Sequence, residues 1–92
     1  MAEARQSVEI VNAKGLHARA SAKFVNMCAS LPADVSVTVV KDGAEAAGGS
    51  ILGLMMLGAA KGDTIEISVA GAEADTVLAR LAGLVLDGFG ED

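Results

Sequence analysis

Tryptophan and tyrosine are absent from this chain of 92 residues, and cysteine, proline and histidine occur once each. With phenylalanine only at positions 24 and 89, a core has to be built from Val, Leu, Ile, Met and Ala. The single cysteine, Cys28, closes no internal disulfide and reads as a small buried hydrophobe. One cysteine and one histidine supply no recognisable ligand spacing, so no metal is expected, and no cofactor is called for. Basic residues are also scarce, seven against twelve acidic for a net charge of −5 with no basic cluster, which argues against a nucleic-acid partner. No apolar run approaches the roughly 20 residues that span a bilayer, and Met1 to Arg5 lack the regions of a secretory signal. A cytoplasmic protein without membrane insertion is expected. A chain of this length makes one domain over 1–92 that buries only about 60–65% of its unfolded surface, with 1–5 and 88–92 expected to fray and Phe89 free to fold back on the final helix.

The informative stretch is Gly15-Leu16-His17-Ala18-Arg19-Ala20-Ser21-Ala22. Before it, Val8-Glu9-Ile10-Val11-Asn12 alternates like a strand; after it, Phe24, Met27, Cys28 and Leu31 recur at helical spacing. The only histidine therefore falls at a helix N-terminus, where backbone N–H groups lack intrahelical partners and the helix dipole favours an anion. Neither Leu16 nor His17 is a preferred capping residue, so a local rule is broken without structural gain. The partial positive charge works against a second proton on the ring and leaves a nitrogen free to act as a nucleophile. A phosphoryl group on that nitrogen would face the open N–H groups, and Arg19 would offer charge-assisted hydrogen bonds worth about 1.5–3 kcal/mol. Gly15 allows a turn that a side chain would obstruct. Taken alone, a histidine at a helix start is more often a surface residue or an improvised cap.

Further along, Leu31-Pro32 stops the first helix. Val35, Val37 and Val39 alternate as a strand, Asp42-Gly43 makes a hairpin turn, and Ala44 to Ala46 return. Ser50 caps a short helix to about Leu57, in which Leu54 and Leu57 are expected to face the core. Ile51, Leu52 and Met55 are left partly exposed, as at an interface. Thr64 to Val69 alternate as the last strand. The final helix carries Glu73 and Asp75 in its first turn and a stripe of Ala74, Val77, Leu78, Leu81 and Val85. Helices on one face of a small antiparallel sheet satisfy this order.

Gly-Leu-His-Ala-Arg-x-x-Ala, followed at a matching separation by Gly49-Ser50-Ile51-Leu52-Gly53-Leu54-Met55-Met56-Leu57-Gly58, resembles the HPr family of histidine-containing phosphocarriers of the bacterial phosphotransferase system. The resemblance runs from about Val8 to Leu86. It implies an α+β, open-faced β-sandwich, a four-stranded antiparallel sheet with two longer helices and one short one on one face. It implies that His17 accepts a phosphoryl group through Nδ1 from Enzyme I and passes it to an EIIA-type acceptor, assisted by Arg19 and by the N–H groups of Ala18 and Arg19. The carrier would then be a covalent intermediate and not a stand-alone catalyst. Ile51, Leu52 and Met55, with Lys23 on the first helix, would dock partners, and Ser50 would be the serine modified by HPr kinase in many relatives. A monomer is favoured for a protein that offers one face to successive partners.

Two departures matter. Ala20 stands where the family has proline, and only Lys23 follows Arg19 as a basic residue on the first helix. Sparse basic charge suits the alternative of a regulatory branch, controlling nitrogen or carbon storage without sugar transport. A second alternative is a non-catalytic ferredoxin-like binding module in which His17 is incidental.

Overall fold

The computed structural model describes residues 3–91. Four strands, β1 (Glu3–Glu9), β2 (Ser36–Lys41), β3 (Ala44–Ala47) and β4 (Thr64–Ala70), form one antiparallel sheet in the order β1-β4-β2-β3. Three helices, α1 (Ala18–Ala29), α2 (Ile51–Met56) and α3 (Ala74–Leu86), complete the fold with a 3-10 turn at Gly88–Gly90. Because β1 and β2 both run antiparallel to β4, they are parallel to each other, and α1 is the crossover that returns the chain between them. The expected architecture is the one observed.

Alternation decides which face of the sheet is covered. In β4, Ile65, Ile67 and Val69 are buried, whereas Thr64 is exposed and Glu66 and Ser68 are half-buried. Val39 of β2 and Val8 of β1 join the same core, onto which α3 presses Ala74, Val77, Leu78, Leu81 and Val85. Both phenylalanines are fully buried, each worth about 1.5–3 kcal/mol relative to exposure. The β2–β3 hairpin turns through Asp42 and Gly43 at φ of 49° and 84°, which suits the right-handed twist of the strands it joins.

Five expectations need correction. β1 begins at Glu3, so residues 3–5 are paired with β4 and not frayed. Ile10 lies past the end of that strand, yet its N–H donates to the Asp63 carbonyl and its own carbonyl accepts from Gly62, so the chain stays tied to the β4 side. At the other end, Gly88 and Phe89 are buried and Glu91 N–H donates to the Gly88 carbonyl, so 88–91 are folded too. On α1 the inward face is Ala20, Ser21 and Phe24, with Met27, Cys28 and Leu31 only half-buried. Small residues there let the helix approach its neighbours closely, and α1 leans on α2 and α3. Finally, Glu73 precedes α3 in a left-handed conformation (φ 56°), leaving Asp75 as the acidic residue of its first turn.

Candidate functional site

His17 occupies the N-cap position of α1 with an extended backbone (φ −75°, ψ 179°), and its side chain makes no capping hydrogen bond. Its carbonyl accepts the first helical bond, from Ser21 N–H at 2.9 Å. The ring is thus free of structural duty toward the helix it opens. Three contacts fix its place. Leu16 is buried, its N–H donates to the Ala59 carbonyl at 2.9 Å, and its carbonyl accepts from the buried Ser21 hydroxyl at 3.2 Å. Just before it, Gly15 turns at φ 62°, and a Cβ there would stand 2.3 Å from the Ala59 carbonyl oxygen. No residue but glycine fits both the angle and the space.

The buried Asn12 stitches this turn together. Its Nδ2 donates to the Gly15 carbonyl at 2.9 Å and to Glu91 Oε1 at 3.0 Å, while Oδ1 has no partner among the described residues. Glu91 sits against His17, its Oε2 lying 2.5 Å from His17 Nε2. The side chains of this pair keep only 24% and 15% of their exposure, so the contact is partly sheltered from water. Hydrogen bonding to the His17 ring, and then to Asn12, holds the Glu91 carboxyl below its ordinary value.

What brings Glu91 here is the turn after α3. Gly88, Phe89 and Gly90 all adopt left-handed angles (φ 65°, 58° and 72°), which doubles the chain back toward α1. For Phe89 that conformation costs about 1–2 kcal/mol, which the full burial of its ring offsets. Lys23 Nζ donates to the Phe89 carbonyl at 2.5 Å. The lysine read from sequence as a docking residue therefore anchors this turn.

His17, Arg19, Lys14, Lys23 and Glu91 line one cleft of about 370 Å³ together with Ala13 and Gly90. Three cationic side chains, Lys14, Arg19 and Lys23, line the same cleft as the ring although the whole chain carries −5. An anion brought to His17 meets locally favourable potential on an acidic molecule. His17 and Arg19 were singled out by sequence and fall together. Lys14, Asn12 and Glu91 were not; Asn12 carried a weak signal as a polar residue closing an alternating run, and Glu91 carried none, since it lies 74 positions from His17.

Ser50 caps α2, its hydroxyl accepting from Gly53 N–H at 2.9 Å. Leu54 and Leu57 point into the core, and Ile51, Leu52 and Met55 are exposed. Met56 belongs with them and is more exposed still, at 77% against 68% for Leu52. Cys28 faces a small apolar groove between α1 and β2, and burial pushes its thiol up to about 11, which leaves almost no reactive thiolate.

Comparison with known proteins agrees with this architecture. A family model described as "PTS HPr component phosphorylation site" matches residues 4–87. The chain is 45% identical over 87 residues to phosphocarrier protein HPr of Neisseria meningitidis serogroup A, covering 95% of this chain and 96% of that one. It is 36% identical over 88 residues to phosphocarrier protein NPr of Escherichia coli K12, covering 96% and 97%. The crystal structure of a phosphocarrier protein HPr from Bacillus anthracis superposes with a TM-score of 0.84 at 30% identity, covering 92% and 99%. The family match stops at residue 87, so the turn that carries Glu91 lies beyond it.

Proposed function

Because the chain belongs to the HPr family of phosphotransferase-system phosphocarriers, we propose that His17 is its phosphoryl acceptor, charged by phospho-Enzyme I and discharged to an EIIA-type acceptor. The observation that carries this reading is the uncapped N-terminus of α1, with a histidine on it, opening into a cleft lined by Lys14, Arg19 and Lys23. In the forward step the lone pair of Nδ1 forms a bond to phosphorus as the phosphorus–nitrogen bond of the donor breaks, and the electron pair of that bond returns to the donor's ring. Arg19 and the N–H groups of Ala18 and Arg19 balance the charge of the phosphoryl oxygens. The reverse geometry serves the next transfer. A site with no deep cage suits a group that has to leave again, and the protein is a carrier of the group, not a catalyst in its own right.

The exposed Ile51, Leu52, Met55 and Met56 form the docking surface beside α1. A monomer in the cytoplasm, presenting this face to one partner after another, fits the role. Ser50 is the regulatory candidate: a phosphate there adds about −1.5 to −2 charge next to the apolar patch and replaces the hydroxyl that caps α2. Similarity to the NPr carriers and the scarcity of basic residues on α1 favour a second reading, a carrier of a regulatory branch. An acceptor panel separates the two.

Incubation with phosphoenolpyruvate and a catalytic amount of Enzyme I from the same organism tests the central step. Intact mass should show one added phosphoryl group that is acid-labile and absent in His17→Ala. No mass gain, with the Enzyme I active on another carrier, would sink the reading.

A further inference from the structure

The imidazole of His17 has two nitrogens, and a phosphoryl carrier requires that one of them keep a lone pair directed at the donor. In water both neutral tautomers are populated and the ring rotates freely. Here Nε2 is engaged by Glu91, and Nδ1 has no hydrogen-bond partner among the described residues. A carboxylate only accepts, so a neutral ring in this contact has to carry its proton on Nε2. Nδ1 is then left with the lone pair. Glu91 is itself held at three points: Asn12 Nδ2 on its other oxygen, the Gly88 carbonyl on its backbone N–H, and the Lys23–Phe89 bond on the turn behind it.

We propose that Glu91, delivered by the turn after α3, is a positioning residue for phosphoryl transfer, fixing the tautomer and orientation of His17 so that Nδ1 is the nucleophile. The proposal rests on the carrier reading of His17. The role continues after transfer. Attack by neutral Nδ1 leaves the proton on Nε2, so the phosphorylated ring bears one positive charge, and that charge faces the Glu91 carboxylate. When the group moves on, the bond to phosphorus breaks toward Nδ1 and the ring returns to neutral with the same proton in place. Glu91 neither gains nor loses a proton in the cycle. Its negative charge sits at Nε2, on the opposite edge of the ring from the nitrogen that takes the phosphoryl group.

Glu91→Ala and Glu91→Gln test this in the full chain, because glutamine can still accept from Nε2–H through its oxygen but carries no charge. Two quantities are read, the Nε2–H proton resonance of His17 in the unphosphorylated protein and the rate of phosphorylation by Enzyme I. The wild type should show a downfield Nε2–H signal protected from solvent exchange. Alanine should abolish that signal and slow phosphorylation roughly tenfold, the scale of one lost charge-assisted hydrogen bond. Glutamine should restore a less shifted signal and part of the rate, at unchanged melting temperature. A wild type that is phosphorylated while Glu91→Ala matches its rate, or a wild type without a protected Nε2–H, overturns the proposal. A wild type that active Enzyme I does not phosphorylate overturns the carrier reading itself, an outcome distinct from the other two.

Discussion

Helices α1 and α2 lie side by side and begin in opposite ways. At α2 the residue before the helix is a serine whose hydroxyl closes the first turn at 2.9 Å. At α1 the corresponding residue is His17, which closes nothing and turns its ring into a basic cleft. The first arrangement is the one stability favours, since a good cap is worth about 1 kcal/mol. The second forgoes that gain and keeps an anion-binding end open. What a helix start does not use for its own stability is available for chemistry.

The comparison is broken most severely at Gly15. Gly15→Ala forces a side chain into a left-handed angle and against the Ala59 carbonyl, so a loss of about 2–4 kcal/mol is expected by denaturant titration. Phosphorylation of His17 should fall with it as the turn shifts. Ser50→Ala removes the cap of α2 and should cost about 1 kcal/mol while leaving the rate at which Enzyme I phosphorylates His17 within twofold. The smallest effect sharpens the contrast from the other side. His17→Ser gives α1 the cap that α2 has, and should raise stability by up to about 1 kcal/mol with complete loss of phosphoryl acceptance. No gain in melting temperature would mean that the Glu91 contact already contributes as much as a cap would.

The same pair of helices explains how much could be read from the sequence. Ser50, its short helix and the exposure of Ile51, Leu52 and Met55 were legible because capping and periodicity act within a few residues. His17 and Arg19 were legible as well, by the violation of the capping rule and by the company they keep. The strand alternation of β4 and the apolar stripe of α3 likewise led to the right sheet and its covered face. What closes around His17 was not legible. Glu91 reaches it through three consecutive left-handed residues, one of them a phenylalanine, and neither hydrophobic pattern nor turn chemistry anticipates that conformation. A Gly-Phe-Gly sequence near an acidic end reads as fraying with Phe89 free to fold back on the helix, and the full burial of that ring is settled only by the assembled core. The anchoring role of Lys23 was hidden for a related reason, because its partner is a backbone carbonyl 66 residues away. Met56 was missed because the apolar residues of α2 occupy nearly the whole circumference, and only packing decides which of them faces out.

The doubling back at Gly88–Gly90 also governs how the molecule can be handled. Gly90 and Glu91 line the His17 cleft, so a purification tag or fusion partner tethered close behind them is held beside that cleft. Glu3 lies at the far end of β1, beside Ala70, a full strand away from the turn that leads to His17. Labels and surface-immobilisation handles belong at that end, where they leave the cleft unobstructed.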